Sequence, residues 1–188
     1  MKKIYFFIVA CLTLLSCQDK HSSEVSPSRD GSCVIQTRDF RGVATLLSTK
    51  VPKDTTIYEF EIFDNFIPEG DTLFTGEAVF HREGNNIVEN VYDCDHNLLL
   101  THVYNDFGCV SITEYIDEET LGISLSPSSI NGYRQRGERY SACVLRVTDE
   151  FYREDCGSFT DAYLGGVKWA ISHYMGVIGC SRYVDQSL

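Results

Sequence analysis

Two apolar periods divide the chain. Residues 57–63 (IYEFEIF) set β-branched and aromatic side chains against Glu59 and Glu61, which share the opposite face of a strand. Residues 72–80 (TLFTGEAVF) have the same character. Residues 87–93 (IVENVYD) and 99–105 (LLTHVYN) align at an offset of 12, matching Ile87 with Leu99, Val91 with Val103 and Tyr92 with Tyr104. Such a step accommodates one strand and one turn of a meander. Short runs at 33–37 (CVIQT), 109–115 (CVSITEY) and 121–125 (LGISL) add three candidate strands. Turn residues separate them at 68–71 (PEGD), 84–86 (GNN), 95–97 (DHN) and 106–108 (DFG).

The last third follows a helical period. Tyr163, Val167, Ala170, Ile171, Tyr174 and Ile178 form one stripe, after a capping pattern at 158–161 (SFTD) and before Gly179, placed to end the helix. In residues 140–155, Cys143, Val147 and Phe151 give helical spacing, although 140–148 (YSACVLRVT) also fits a strand; helix is favoured. The fold class is therefore α+β: an N-terminal antiparallel β-meander over 32–125 followed by a helical hairpin over 139–180. A single domain over 32–188 suits this length.

The first residues change the picture. Lys2 and Lys3 precede a charge-free apolar run over 4–15, too short to span a bilayer but right for a signal peptide. The run ends in Leu14-Leu15-Ser16-Cys17, which resembles a bacterial lipobox. The resemblance implies a signal peptide over 1–16 and diacylglycerol attachment at Cys17, with palmitate-type chains anchoring the protein in a membrane. Gln18 follows the Cys, so an Asp inner-membrane retention signal is absent there. The signal is similar to those of Bacteroidota lipoproteins, which implies an outer-membrane protein, periplasmic or surface-exposed. Residues 17–31 then read as a polar tether with one apolar side chain, Val25.

An exported chain changes the meaning of its cysteines. Beyond Cys11 and Cys17 there remain Cys33, Cys94, Cys109, Cys143, Cys156 and Cys180, an even set that reads as disulfides. If 141–155 and 159–178 are antiparallel helices, Cys143 and Cys180 meet at one end of the hairpin and pair. Cys94 and Cys109 flank the strand 99–105 at opposite ends, so they are not expected to pair with each other.

Candidate chemistry is sparse. A net charge of −11 argues against a nucleic-acid partner, which needs a Lys/Arg surface. No GxSxG elbow, phosphate-binding glycine loop or CxxC pair occurs, so neither an enzyme nor a metal or other cofactor is expected. Residues 93–97 (DCDHN) begin like a calcium loop, but Leu98 and Tyr104 stand where Gly and Glu are required, and a hairpin turn is the better reading. His81, His96, His102 and His173 read as surface or capped histidines, and the 117–119 run (DEE) as solvated. The basic cluster Arg134, Arg136 and Arg139 is a candidate clamp for a carboxylate or phosphate.

These readings make a non-enzymatic, lipid-anchored envelope protein, acting as a binding module for an envelope protein or glycan. A second reading arises from the C-terminus, where residues 162–180 carry Lys168 alone as a charge and hold Gly165, Gly166, Gly176 and Gly179. This stretch resembles the termini of small bacteriocins, which implies an antagonism factor: a precursor with a membrane-active helix, or an immunity lipoprotein.

Overall fold

The computed structural model describes residues 32–48, 55–66, 72–127, 130–154 and 162–185. The signal, Cys17, the tether, the capping pattern at 158–161 and Cys156 lie outside the described residues.

Seven strands form one antiparallel sheet in sequence order: β1 (Cys33–Gln36), β2 (Phe40–Ser48), β3 (Thr55–Asp64), β4 (Thr72–Glu83), β5 (Asn86–Asp93), β6 (Leu98–Asn105) and β7 (Gly108–Glu114). Three helices follow, α1 (Glu118–Leu125), α2 (Tyr140–Glu154) and α3 (Ala162–Cys180). The fold is thus α+β, a meander capped by helices. In β3 the alternation reads directly as burial, with Tyr58, Phe60 and Ile62 inside and Glu59 exposed. The stretch 87–105 forms neighbouring antiparallel strands, Ile87 opposite Tyr104 and Val91 opposite Leu100. Their turn is held by Asp93, whose Oδ1 accepts from the amides of Asp95 (2.9 Å) and Asn97 (2.8 Å), while His96 takes φ 59°.

α3 is the centre of the molecule. It packs on β1, β2, β3 and β4 on one side and on α1 and α2 on the other. Every residue from Gly166 to Cys180 except Trp169 is buried. Phe60 and Phe74 stack against Tyr174, at 6.4 and 4.7 Å between ring centroids. Cys143 of α2 is disulfide-bonded to Cys180 of α3, with Cα atoms 5.9 Å apart, closing the hairpin at the end expected from its antiparallel geometry. Cys94 and Cys109 sit at opposite ends of β6, both exposed.

Three expectations are corrected. Residues 121–125 are not a strand but the last turns of α1, because Asp117 caps the helix by accepting from the amides of Glu119 and Thr120. β2 had no counterpart among the expected strands, since Gly42 interrupts its apolar alternation; a side chain there would meet Ile171 and Met175 of α3. Gly179 does not end α3; it lies inside the last turn, where Tyr133 packs over it.

Candidate functional site

The end of β7 and the start of α1 put two carboxylates side by side. Register sets the first: Glu114 pairs with Leu100, whose side chain is in the core. Neighbours across an antiparallel pair share a face, so Glu114 belongs to the helix-covered side of the sheet. The Asp117 cap sets the second by starting α1 so that Glu118 turns inward. There its Oε1 accepts at 2.7 Å from Nε2 of His173, a fully buried residue in the middle of α3. The donor atoms of Glu114, Glu118 and His173 all lie within 4.8 Å of one another.

This group borders a cleft of about 490 Å³ between the β7–α1 corner and the start of α2. Ile116, Arg134, Arg139 and Tyr140 complete its walls. The Tyr140 hydroxyl reaches the carbonyls of Glu118 (2.9 Å) and Val177 (2.8 Å), tying α1, α2 and α3 together beneath the cleft. Glu114 is pushed up to about 7, by burial first and then by its hydrogen bond to Glu118 and that group's charge. Burial alone would raise Glu118 as well, but the hydrogen bond and charge interaction with His173 outweigh it and lower the carboxyl.

A second acid–histidine pair lies deeper. Glu89 of β5 and His102 of β6 are cross-strand partners on the helix-facing side of the sheet, with Oε2 3.1 Å from Nδ1. Both are buried. Burial pushes the Glu89 carboxyl well above its usual range. Burial, and next the charge of His173, lowers His102 to about 4. Both shifts favour the neutral forms of the pair. Trp169 links the two pairs, its ring centred 4.2 Å from that of His102 and 5.0 Å from that of His173.

Several sequence readings change here. His102 and His173 are neither surface nor capped residues but buried partners of glutamates. In the 117–119 run Asp117 and Glu119 are exposed as expected, Asp117 capping α1 and Glu119 holding Arg134 at 2.7 Å, but Glu118 is inside. Arg134 and Arg139 line the cleft, Arg136 is not among its lining residues, and Arg134 is already engaged by Glu119 and lies over the rings of Tyr140 and Tyr183. Cys33 is buried beneath the sheet and Cys94 and Cys109 are exposed. Sequence reasoning missed Glu89, Glu114 and Glu118: His173 lies 55 residues from Glu118, and the cross-strand register that sets Glu89 against His102 and turns Glu114 inward is not written in any spacing; the one available signal was the Asp117 cap, which turns Glu118 inward.

Compared with family models, curated proteins and solved structures, the chain gives no match.

Proposed function

We propose that this chain is a non-enzymatic, lipid-anchored envelope protein whose domain engages its partner or ligand at the cleft between β7, α1 and α2. The observation that carries the reading is the meeting of Glu114 and Glu118 at that cleft, with His173 buried behind them as the partner of Glu118. Buried ionisable groups are costly unless they serve packing or recognition, and Glu114 and Glu118 line a cleft open to solvent. The anchor rests on the lipobox at Cys17, and the compartment on the signal and the cysteine usage. Envelope residence agrees with the Cys143–Cys180 disulfide. The burial of α3 favours this reading over a membrane-active helix, because release of α3 would remove the centre of the core. No helix of the described residues is long and apolar enough to cross a membrane.

Two measurements test it. Fatty-acid labelling in the native envelope should mark the wild type and not Cys17→Ala; equal label in both removes the anchor. Cross-linking of the intact lipoprotein in its envelope should trap a protein or glycan partner. Ser141→Arg, at the exposed mouth of the cleft, should abolish that capture, while Glu59→Arg on the far face of the sheet should not. Capture indifferent to Ser141→Arg places recognition elsewhere and sinks the cleft reading.

A further inference from the structure

We infer that Glu114, Glu118 and His173 form a binding site for one divalent transition-metal cation of the zinc class, with a fourth position open to the cleft. The inference rests on the reading that this cleft is where the domain engages its ligand, and it names the chemistry of that ligand.

Three different elements, β7, α1 and α3, deliver one donor each, and all donor atoms fall within 4.8 Å of one another. A tetrahedral zinc ion with bonds of about 2.0–2.1 Å holds its donors roughly 3.3 Å apart. His173 Nε2 and Glu118 Oε1 are 2.7 Å apart, so the pair has to open by less than about 1 Å to admit the ion.

The donor set selects the metal. One imidazole and two carboxylates suit zinc and its neighbours, whereas calcium and magnesium take oxygen ligands. Charge points the same way. Glu114 and Glu118 lie against each other, and of the two arginines that line the cleft, Arg134 is taken by Glu119. A divalent cation would supply the positive charge that two adjoining carboxylates call for.

The imidazole is held ready. His173 is buried, Trp169 stacks on one side at 5.0 Å and Tyr174 meets it edge-on at 5.3 Å. The cleft leaves the remaining coordination position to water or to a group of the partner, an arrangement closed structural zinc sites lack. One feature limits affinity: Nδ1 of His173 is buried with no hydrogen-bond partner among the described residues. Zinc-binding histidines ordinarily donate that nitrogen's proton, and loss of such a partner costs about 10–100-fold.

The test uses the full chain in detergent, stripped with chelator and alkylated with iodoacetamide so that Cys94 and Cys109 cannot bind metal as thiolates. Zn²⁺ is titrated by calorimetry and Co²⁺ by quenching of Trp169, the chain's single tryptophan. One equivalent of Zn²⁺ should bind, Co²⁺ should quench Trp169, and millimolar Ca²⁺ or Mg²⁺ should do neither. Glu114→Gln and Glu118→Gln should each weaken Zn²⁺ binding at least about tenfold. Glu114 is at the exposed rim, so its variant keeps the fold, checked by circular dichroism, and the result stays interpretable. Absence of Zn²⁺ binding at about 1 mM, binding undiminished in Glu114→Gln, or Ca²⁺ binding as strong as Zn²⁺ would each overturn the inference. If these fail while Ser141→Arg still abolishes partner capture, the metal is wrong and the cleft reading stands. Zinc binding with capture indifferent to Ser141→Arg has the opposite meaning.

Discussion

Glu89–His102 and Glu118–His173 are two versions of the same pair, arranged on either side of Trp169, and they differ in what lies beyond them. Beyond Glu89 there is only core: its Oε1 has no partner, and no charge offsets its burial. Beyond Glu118 there is a second carboxylate and an open cleft. The sealed pair is driven neutral by desolvation. In the open pair, the hydrogen bond and charge of His173, with the hydrogen bond to Glu114, outweigh burial and lower the Glu118 carboxyl. The same two residue types thus make a sealed hydrogen bond drawn towards neutrality at one site and a pair that favours the charged carboxylate at the other, and the neighbouring groups make the difference.

The largest way to break that comparison is to loosen α3, which carries His173 and packs Gly166 and Trp169 against Glu89 and His102. Replacing Cys143 and Cys180 by Ala removes a loop constraint of 37 residues. Loss of about 3–4 kcal/mol is expected, read by urea unfolding. Glu89→Ala comes next, at roughly 2–3 kcal/mol, because it leaves His102 buried without a partner beside a new cavity. Glu118→Ala should cost about 1 kcal/mol, since water from the cleft can replace the lost acceptor at His173. Equal losses at Glu89 and Glu118 would erase the distinction between a sealed and an open pair.

A finer test uses pH. The folded His102 sits at about 4, below its usual value of 6.5, so the unfolded chain binds the proton more readily. The stabilisation from burying neutral His102 is complete above about pH 6.5 and is lost as pH falls towards 4. Its full size is roughly 3 kcal/mol. Glu89 has the opposite sign: its carboxyl is raised, so its contribution is present below its usual range and is lost as pH rises. Glu89→Gln keeps a donor to Nδ1 without that penalty. Its stability relative to wild type should therefore improve steadily from pH 5 to 8. A flat difference across that range would show that Glu89 is ionised in the folded protein.

The two pairs were also unequally hidden in the sequence. The meander was legible because one buried face makes strands alternate, as Tyr58, Phe60 and Ile62 do. The pairing of Cys143 with Cys180 followed from the lengths and direction of two helices. β2 was not legible because Gly42 makes room for Ile171, and α1 was mistaken for a strand because five residues of mixed apolar character fit either period. The glycines of α3 looked like those of a membrane helix for a related reason. Gly166 lies under Phe80 and Tyr104, and Gly176 against Val144 and Thr148 of α2, so the same close approach serves a helix buried on all sides. The acid–histidine pairs offered no spacing to read. Glu118 and His173 are 55 residues apart, and only the register of the sheet and the Asp117 cap bring such residues together.

The position of α3 also fixes a timetable. α3 covers β1 to β4, and it follows all seven strands in the chain. During synthesis all seven strands emerge with their apolar side chains unmatched, so the domain has no early, stable half to fold into. Under the export proposed above, that delay would be useful: compaction would be withheld until α3 has passed the export channel, and the Cys143–Cys180 bond would then lock the helix in place on the oxidising side.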